Sequence, residues 1–381
     1  MNKTVLSEFN KIRNMVRSAS RKLIQKEQSE VANACKTNPK KFWKFVRSRS
    51  NQQPKGVADI SVVDECGNEK LLTDDLQKAN AFVEYFSSVF TQEPMSNFDK
   101  LDQLVPINHM DAIIMTEKQI ENELTKLKTD KSPGPDDIHP RILKELCPQI
   151  TNALKIIFDV SLATGQLPDE WKSSTVSVIY KKGKKSVVSN YRPISLTCIA
   201  CKIMESLIKN DVMHYLLTNK LISVKQFGFV KGRSTNIQLL KLFDQWTNCL
   251  ENGGQVDVIY TDFEKAFDKV PHKRLLSKLI SLGLNVEVIE WIKEFICYRK
   301  HRVRINEKFS HWKTVESGIP QGSVLGPLLF VLYINNLPSA CDKGADTFLF
   351  ADDAKLYKHI TAKIDSLALQ DSCQRDRKSV V

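Results

Sequence analysis

The stretch Phe348-Leu-Phe-Ala-Asp352-Asp353-Ala-Lys-Leu-Tyr357 sets two adjacent carboxylates between apolar runs, with Ala351 and Ala354 keeping the centre small. Apolar flanks around so short a centre predict a tight β-hairpin. Two acids at the tip of a buried hairpin are costly unless a cation or hydrogen-bond donors compensate them. A hard divalent ion such as Mg²⁺ suits them, because it takes carboxylate oxygens and usually phosphate oxygens as well. Taken alone, an Asp pair in a hairpin is equally well explained by turn chemistry. A third acid shifts that balance. Val256-Asp-Val-Ile-Tyr-Thr-Asp262 alternates as a strand and ends on Asp262. The carboxyl end of a strand is where open α/β folds concentrate function, although Asp262 would also serve as a plain helix N-cap. Between the acidic stretches lies Ser317-Gly-Ile-Pro-Gln-Gly-Ser-Val-Leu-Gly-Pro327, with three glycines from Gly318 to Gly326 and the amide of Gln321 at its middle. Such a backbone suits close approach by another group, or simply an irregular loop before a helix over 328–336.

The elements that must hold these residues are readable in outline. Helical spacing is expected from about Asp75 to Phe90. A capping box at Thr116-Glu-Lys-Gln119 opens a helix reaching Leu127. Lys131-Ser-Pro-Gly-Pro-Asp-Asp137 must be a loop, and Ile142 to Leu162 again reads as helix. Thr175 to Tyr180 alternates as a strand running into a basic tip, Lys181-Lys-Gly-Lys-Lys185. An extended Asn190-Tyr-Arg-Pro-Ile-Ser195 follows, with helices over 196–217 and 235–250 beyond it. After Asp262 the spacing of Phe263-Glu-Lys-Ala-Phe267-Asp268 predicts a helix continuing past Pro271 and His272 to about Leu282.

With 42% hydrophobic and 26% charged residues over 381 positions, wholesale disorder is excluded and the chain is long enough for two or three lobes. Residues 1–50 hold 13 Lys/Arg against three acids, nearly all of the formal net charge of +12. A basic arm on a near-neutral body points to a polyanion, nucleic acid before an anionic membrane. Within it, residues 3–33 read as a basic amphipathic helix. In Lys40-Lys-Phe-Trp-Lys-Phe-Val-Arg-Ser-Arg49, Lys41, Lys44, Arg47 and Arg49 alternate with aromatics, as in a nucleic-acid contact or a docked helix. Residues 50–68 read as a linker and short hairpin. The start of the chain lacks a secretory apolar run. The most apolar stretch, Val324 to Ile334, carries Gly326 and Pro327 and is 11 residues long, against the about 20 a membrane span needs. An intracellular protein of nucleus or cytoplasm, neither secreted nor membrane-bound, is expected. Its nine cysteines read as reduced core thiols; Cys198 and Cys201, followed by His214 without a second His, do not make a zinc finger.

An Asp ending a strand, a Gly-rich loop and an Asp-Asp hairpin, in this order, resemble motifs A, B and C of reverse transcriptases, in particular those of non-LTR (LINE-type) retrotransposons. Ser132-Pro-Gly-Pro-Asp136, Tyr191-Arg-Pro-Ile-Ser195, Gln226-Phe-Gly-Phe229 and Ser317-Gly-Ile-Pro-Gln-Gly322 look like family signatures in family order, over about residues 115–370. Asn38-Pro-Lys-Lys-Phe-Trp43 resembles the linker upstream of that domain.

The resemblance implies an α+β fold, the fingers and palm of a right-hand polymerase, with an antiparallel palm sheet, packed helices and the thumb absent. It divides the chain into a basic arm over 1–50, a mainly helical extension over 51–128, fingers and palm over 129–370, and an unstructured tail over 371–381. The implied activity is RNA-directed DNA synthesis, by two-metal nucleotidyl transfer to a primer 3′-hydroxyl; the alternative is a catalytically dead remnant that only binds nucleic acid. Asp262, Asp352 and Asp353, with the backbone carbonyl of Phe263, would hold two Mg²⁺ ions, for which Mn²⁺ could substitute. Phe267 would act as the steric gate against a 2′-hydroxyl. Arg192 and a tip lysine, Lys182 in preference to Lys181, would clamp the triphosphate, and Gln321 and Gly322 would line the nucleotide and template position. The implied partners are an RNA template, a DNA primer and deoxynucleoside triphosphates.

Overall fold

The computed structural model describes residues 3–33, 35, 42–43, 45–46, 56–63, 68–93, 108–341 and 345–380. Two compact units emerge, Met1–Ala58 and Asp59–Val381. The first contains the expected basic helix, α1 (Lys3–Asn33), on which Ile12, Met15, Val16 and Leu23 are all exposed. Lys41, Lys44, Arg47 and Arg49 lie outside the described residues.

In the second unit, strands β1 (Ile60–Val63) and β2 (Glu69–Leu72) form a short hairpin. Helix α2 (Asp75–Ser87) follows, its first turn capped by the Asp74 carboxylate, which accepts from the Gln77 N–H. Helix α3 (Glu117–Thr125) begins on the expected capping box, with Thr116 and Gln119 satisfying each other's backbone N–H groups. Where one helix is expected over 142–162 there are two, α4 (Pro140–Glu145) and α5 (Cys147–Thr164). Pro148 sits in the first turn of α5, where it needs no N–H; continuing α4 through it would break the ladder. Strand β3 (Ser173–Tyr180), β4 (Tyr191–Leu196), α6 (Ile199–Thr218), α7 (Thr235–Glu251) and β5 (Gln255–Asp262) come next.

Residues 263–271 correct the expected continuous helix. Lys265 has φ +54°, in the left-handed region, and its carbonyl accepts from the N–H groups of both Asp268 and Lys269, closing a tight turn. A regular helix starts only after Pro271, as α8 (His272–Ser281), followed by α9 (Val286–Ile296). Strands β6 (Lys300–Ile305), β7 (Lys308–Phe309) and β8 (Lys313–Thr314) lead to α10 (Gly326–Tyr333) and α11 (Leu337–Cys341). Strands β9 (Asp346–Phe350) and β10 (Asp353–Ile360) then form the hairpin, and α12 (Lys363–Val380) closes the unit.

Residues 371–380, expected to be unstructured, are the second half of α12. Asp365 caps its start by accepting from Thr361 and Ala362, no Gly or Pro interrupts it, and fully buried Ser372 donates to the Cys341 carbonyl of α11.

The strands form a three-stranded antiparallel sheet in the order β5-β10-β9 and a mixed sheet, β4-β3-β6-β7, with β8 paired to β6. Only β3 and β6 run parallel in the mixed sheet. Helix α2 packs on this sheet, with Phe82 edge-on to Tyr191 at 5.0 Å and the Ser87 hydroxyl 3.1 Å from His301 Nε2. The main core gathers α5, α6 and α8–α10, with Trp291 stacked on Phe295 at 5.4 Å. The most apolar stretch of the sequence is thus a core helix, α10. Among the described residues no helix is long and apolar enough to cross a membrane.

Candidate active site

Strand pairing brings the three acids together. Asp262, the last residue of β5, is opposite Asp353, the first of β10, and Asp353 is also paired with Phe350 at the end of β9. Ala351 and Asp352 are therefore a two-residue hairpin turn, with Ala351 at φ +54°. The turn is clasped from outside by the loop Gln226-Phe-Gly-Phe229. Fully buried Gln226 accepts from the N–H of Ala351 at 3.1 Å and of Gly228 at 2.8 Å. A Cβ on Gly228 would stand 2.3 Å from the Ala351 nitrogen, so only glycine fits there.

Asp262 and Asp352 open onto one cleft of 530 Å³, and Asp262 and Asp353 onto a second hollow beside it. Partial burial, then the charges of Asp352 and Asp262, push the Asp353 carboxyl above its usual range. That mutual repulsion and an all-oxygen donor set are what a hard divalent ion would relieve. Among the described residues, no group of three acidic, imidazole or thiol side chains is placed, as it stands, to hold a metal ion by itself.

Two cations of the same cleft come from another sheet. Lys181 and Arg192 line the cleft from the β3–β4 hairpin. The tip is braced from within, since Tyr180 donates to the Gly183 carbonyl at 2.5 Å, Tyr191 to Lys185 at 2.7 Å and Asn190 to Lys184 at 2.8 Å. Both Lys181 and Lys182 are exposed; Lys181 lines the cleft, and Lys182, favoured on sequence, does not.

Phe263, Phe267 and Gln321 also line the cleft. Phe267 is held by stacking on Phe330 at 4.7 Å and by an edge contact with Phe229 at 6.4 Å. Gly322, at φ +111°, faces the β4 backbone instead, where a Cβ would meet the Ser195 carbonyl at 2.8 Å. The Ser195 N–H donates to the Gln321 carbonyl at 2.7 Å, so this loop is docked on β4.

The roles of three polar residues that build the site were not evident from sequence, although Gln226 and Asp268 stand in motifs noted there. Gln226 clasps the hairpin turn. Glu205 of α6, fully buried with its pKa raised by that burial, accepts from the N–H groups of Val324 and Leu325 and fixes the start of α10. Asp268 accepts from the Gln321 amide at 2.9 Å through both carboxylate oxygens. A weak signal existed for Glu205, the single acid in Ile199-Ala-Cys-Lys-Ile-Met-Glu-Ser-Leu-Ile208. In the basic run Arg299–Arg304, Arg299 is buried and donates to the carbonyls of Trp171 and Phe295, so it serves the core.

Comparison with known proteins agrees with this arrangement. Residues 179–371 match the family model described as reverse transcriptase (RNA-dependent DNA polymerase), about half of the chain and the part holding all three acids. A probable RNA-directed DNA polymerase from transposon BS of Drosophila melanogaster is 28% identical over 305 residues, 78% of this chain and 33% of that protein. The RNA-directed DNA polymerase from mobile element jockey of the same fly is 33% identical over 226 residues, 59% of this chain and 25% of its own length. The Pol polyprotein from type-1 retrotransposable element R1 of Bradysia coprophila is 25% identical over 333 residues, 84% of this chain and 32% of that polyprotein. The chain thus spans about a third or less of the length of these relatives. With its acids on a strand end and a facing hairpin turn, it belongs to the reverse transcriptase family, on the LINE-type, non-LTR retrotransposon branch.

Proposed function

We propose that this chain carries the fingers and palm of an RNA-directed DNA polymerase, which joins deoxynucleotides to a DNA primer 3′-hydroxyl on an RNA template. The observation that carries the reading is the shared cleft: Asp262, Asp352, Lys181, Arg192 and Gln321 all line it. In this reading the sheet β5-β10-β9 is the palm, and the β3–β4 hairpin belongs to the fingers.

Asp262, Asp352 and Asp353, with the Phe263 carbonyl, would hold two divalent ions, Mg²⁺ by preference and Mn²⁺ in its place. When bound, such ions neutralise phosphate charge and acidify the attacking hydroxyl. The protein's own groups do the rest. Lys181 and Arg192 hold the triphosphate as fixed cations, with no proton to transfer. The braced tip fixes the backbone from which both side chains reach. Phe267 supports the sugar, and Gln321 borders the nucleotide and template position, with Gly322 docking its loop on β4. Nucleic acid is engaged further by the basic arm, including Lys41, Lys44, Arg47 and Arg49. An enzyme of this kind acts inside the cell, in the nucleus or cytoplasm.

The test is primer extension on RNA templates of two different sequences, with and without a chelator. Products that follow each template and vanish on chelation are expected. Extension that ignores the template, or that persists without divalent ions, would rule the reading out.

A further inference from the structure

Asp268 and Gln321 line the active-site cleft and also a small chamber of 40 Å³ beside it, so with Phe86 and Pro193 they stand between the two. The Gln321 Nε2 lies 2.9 Å from each carboxylate oxygen of Asp268. An ionised carboxylate only accepts hydrogen bonds, so it must be the NH₂ end of the amide that turns to Asp268. The oxygen is then the end presented away from it. The loop carrying Gln321 is fastened to the turn carrying Asp268 at three further points. Ser317 Oγ donates to the Asp268 carbonyl at 2.8 Å, the Ile319 N–H to the Phe267 carbonyl at 2.8 Å, and the Gly318 N–H to the Val270 carbonyl at 2.8 Å. A Cβ on Gly318 would stand 2.6 Å from the Asp268 carbonyl oxygen. Neither partner can swing away alone.

We infer that Asp268 is a positioning residue, which orients the amide of Gln321 so that an incoming nucleotide meets its oxygen, an acceptor, rather than its NH₂ group. This rests on the polymerase reading above. Burial pushes the Asp268 carboxyl up to about 6, against the lowering effect of the Gln321 hydrogen bonds and the Lys265 ammonium. Once protonated, Asp268 carries an O–H that donates a hydrogen bond to the amide oxygen while the proton stays on the carboxyl, so the amide turned over, with NH₂ toward the cleft, gains a partner and the recognition inverts.

The other charged groups around the pair are Lys265 on the same turn, Arg299 and His301 across the chamber, and Lys181, Arg192, Asp262, Glu264 and Asp352 around the cleft. His301 stays neutral in the same range, because burial and the Arg299 charge lower it to about 4.

Two measurements decide the matter. In the full chain labelled with ¹⁵N at glutamine, the Gln321 side-chain NH₂ signals, assigned by their loss in Gln321→Met, should move as pH falls through about 6. They should cease to titrate in Asp268→Asn. Signals that ignore pH and are unchanged by Asp268→Asn would overturn the clamp without any assay of activity. In primer extension, Asp268→Asn should raise the KM for deoxynucleotide about tenfold, the worth of one hydrogen bond to a charged group, with kcat little changed. In the Gln321→Met background the same substitution should add nothing. Additive losses in the double variant would overturn the inference, since they would show Asp268 acting independently of Gln321. Absence of templated extension by the wild type would count against the polymerase reading instead, and the amide titration then decides the clamp by itself.

Discussion

Phe267 belongs at once to the core and to the cleft, partly buried, stacked on Phe330 and lining the cavity that holds Asp262 and Asp352. Removing the ring should cost about 2 kcal/mol of stability, less than for a fully buried phenylalanine because it is only partly buried. In a primer-extension competition between ATP and dATP, Phe267→Ala should raise ribonucleotide use at least about tenfold, a change of roughly 1.4 kcal/mol in discrimination. A folded, active variant with unchanged sugar preference would confine Phe267 to the core. At this scale the sequence reveals residues whose neighbours along the chain announce them. Asp262 closes an alternating strand, and Asp352 and Asp353 sit between apolar runs. The residues that hold those acids in place have partners far along the chain. Gln226 reaches Ala351 over 125 positions, Glu205 reaches Val324 over 119, and Asp268 meets Gln321 over 53. No local pattern encodes such pairs.

The hairpin β9–β10 is the element on which the site depends, and its turn is fixed from outside by the loop at Gly228. Gly228→Ala forces a Cβ against the Ala351 backbone, which cannot yield as a flexible side chain would. Overpacking of this kind costs about 1–3 kcal/mol, and the turn that yields is the one carrying Asp352. Urea unfolding together with primer extension should show both a lowered midpoint and a loss of incorporation out of proportion to it. A variant with wild-type stability and activity would mean that the loop does not set the turn. Elements with strong local signals were legible, among them the capping box of α3 and the strand ending on Asp262. Phe263 and Phe267, four residues apart, mimic helical spacing while in fact belonging to a turn bent at Lys265. The polar residues 371–380 conceal a helix because its anchor, Ser372 on Cys341, is a tertiary contact.

At the scale of the molecule, the family and the α+β class were readable from motif order, but the joins were not. Helix α2 falls in a stretch that reads as an extension before the polymerase body, yet Phe82 and Ser87 tie it to the mixed sheet. Charge is the other whole-chain property. Residues 1–50 hold nearly all the net charge. Their deletion should weaken RNA binding and flatten its salt dependence by roughly 0.7 log units for every phosphate the arm neutralises, with little change in sequence preference. A salt titration giving equal slopes for full and truncated chains would make the arm a merely solvated segment. The central claim, that Asp262 and Asp352 form the catalytic centre of a templated polymerase, is tested most directly by single-nucleotide incorporation. Wild type, Asp262→Asn and Asp352→Asn should be compared on an RNA template with Mg²⁺. The account predicts that each substitution lowers incorporation on the order of a thousandfold or more, about 4 kcal/mol of barrier, while the fold survives. Mg²⁺-dependent incorporation within about tenfold of wild type by either variant, a barrier change of only about 1.4 kcal/mol, would contradict it.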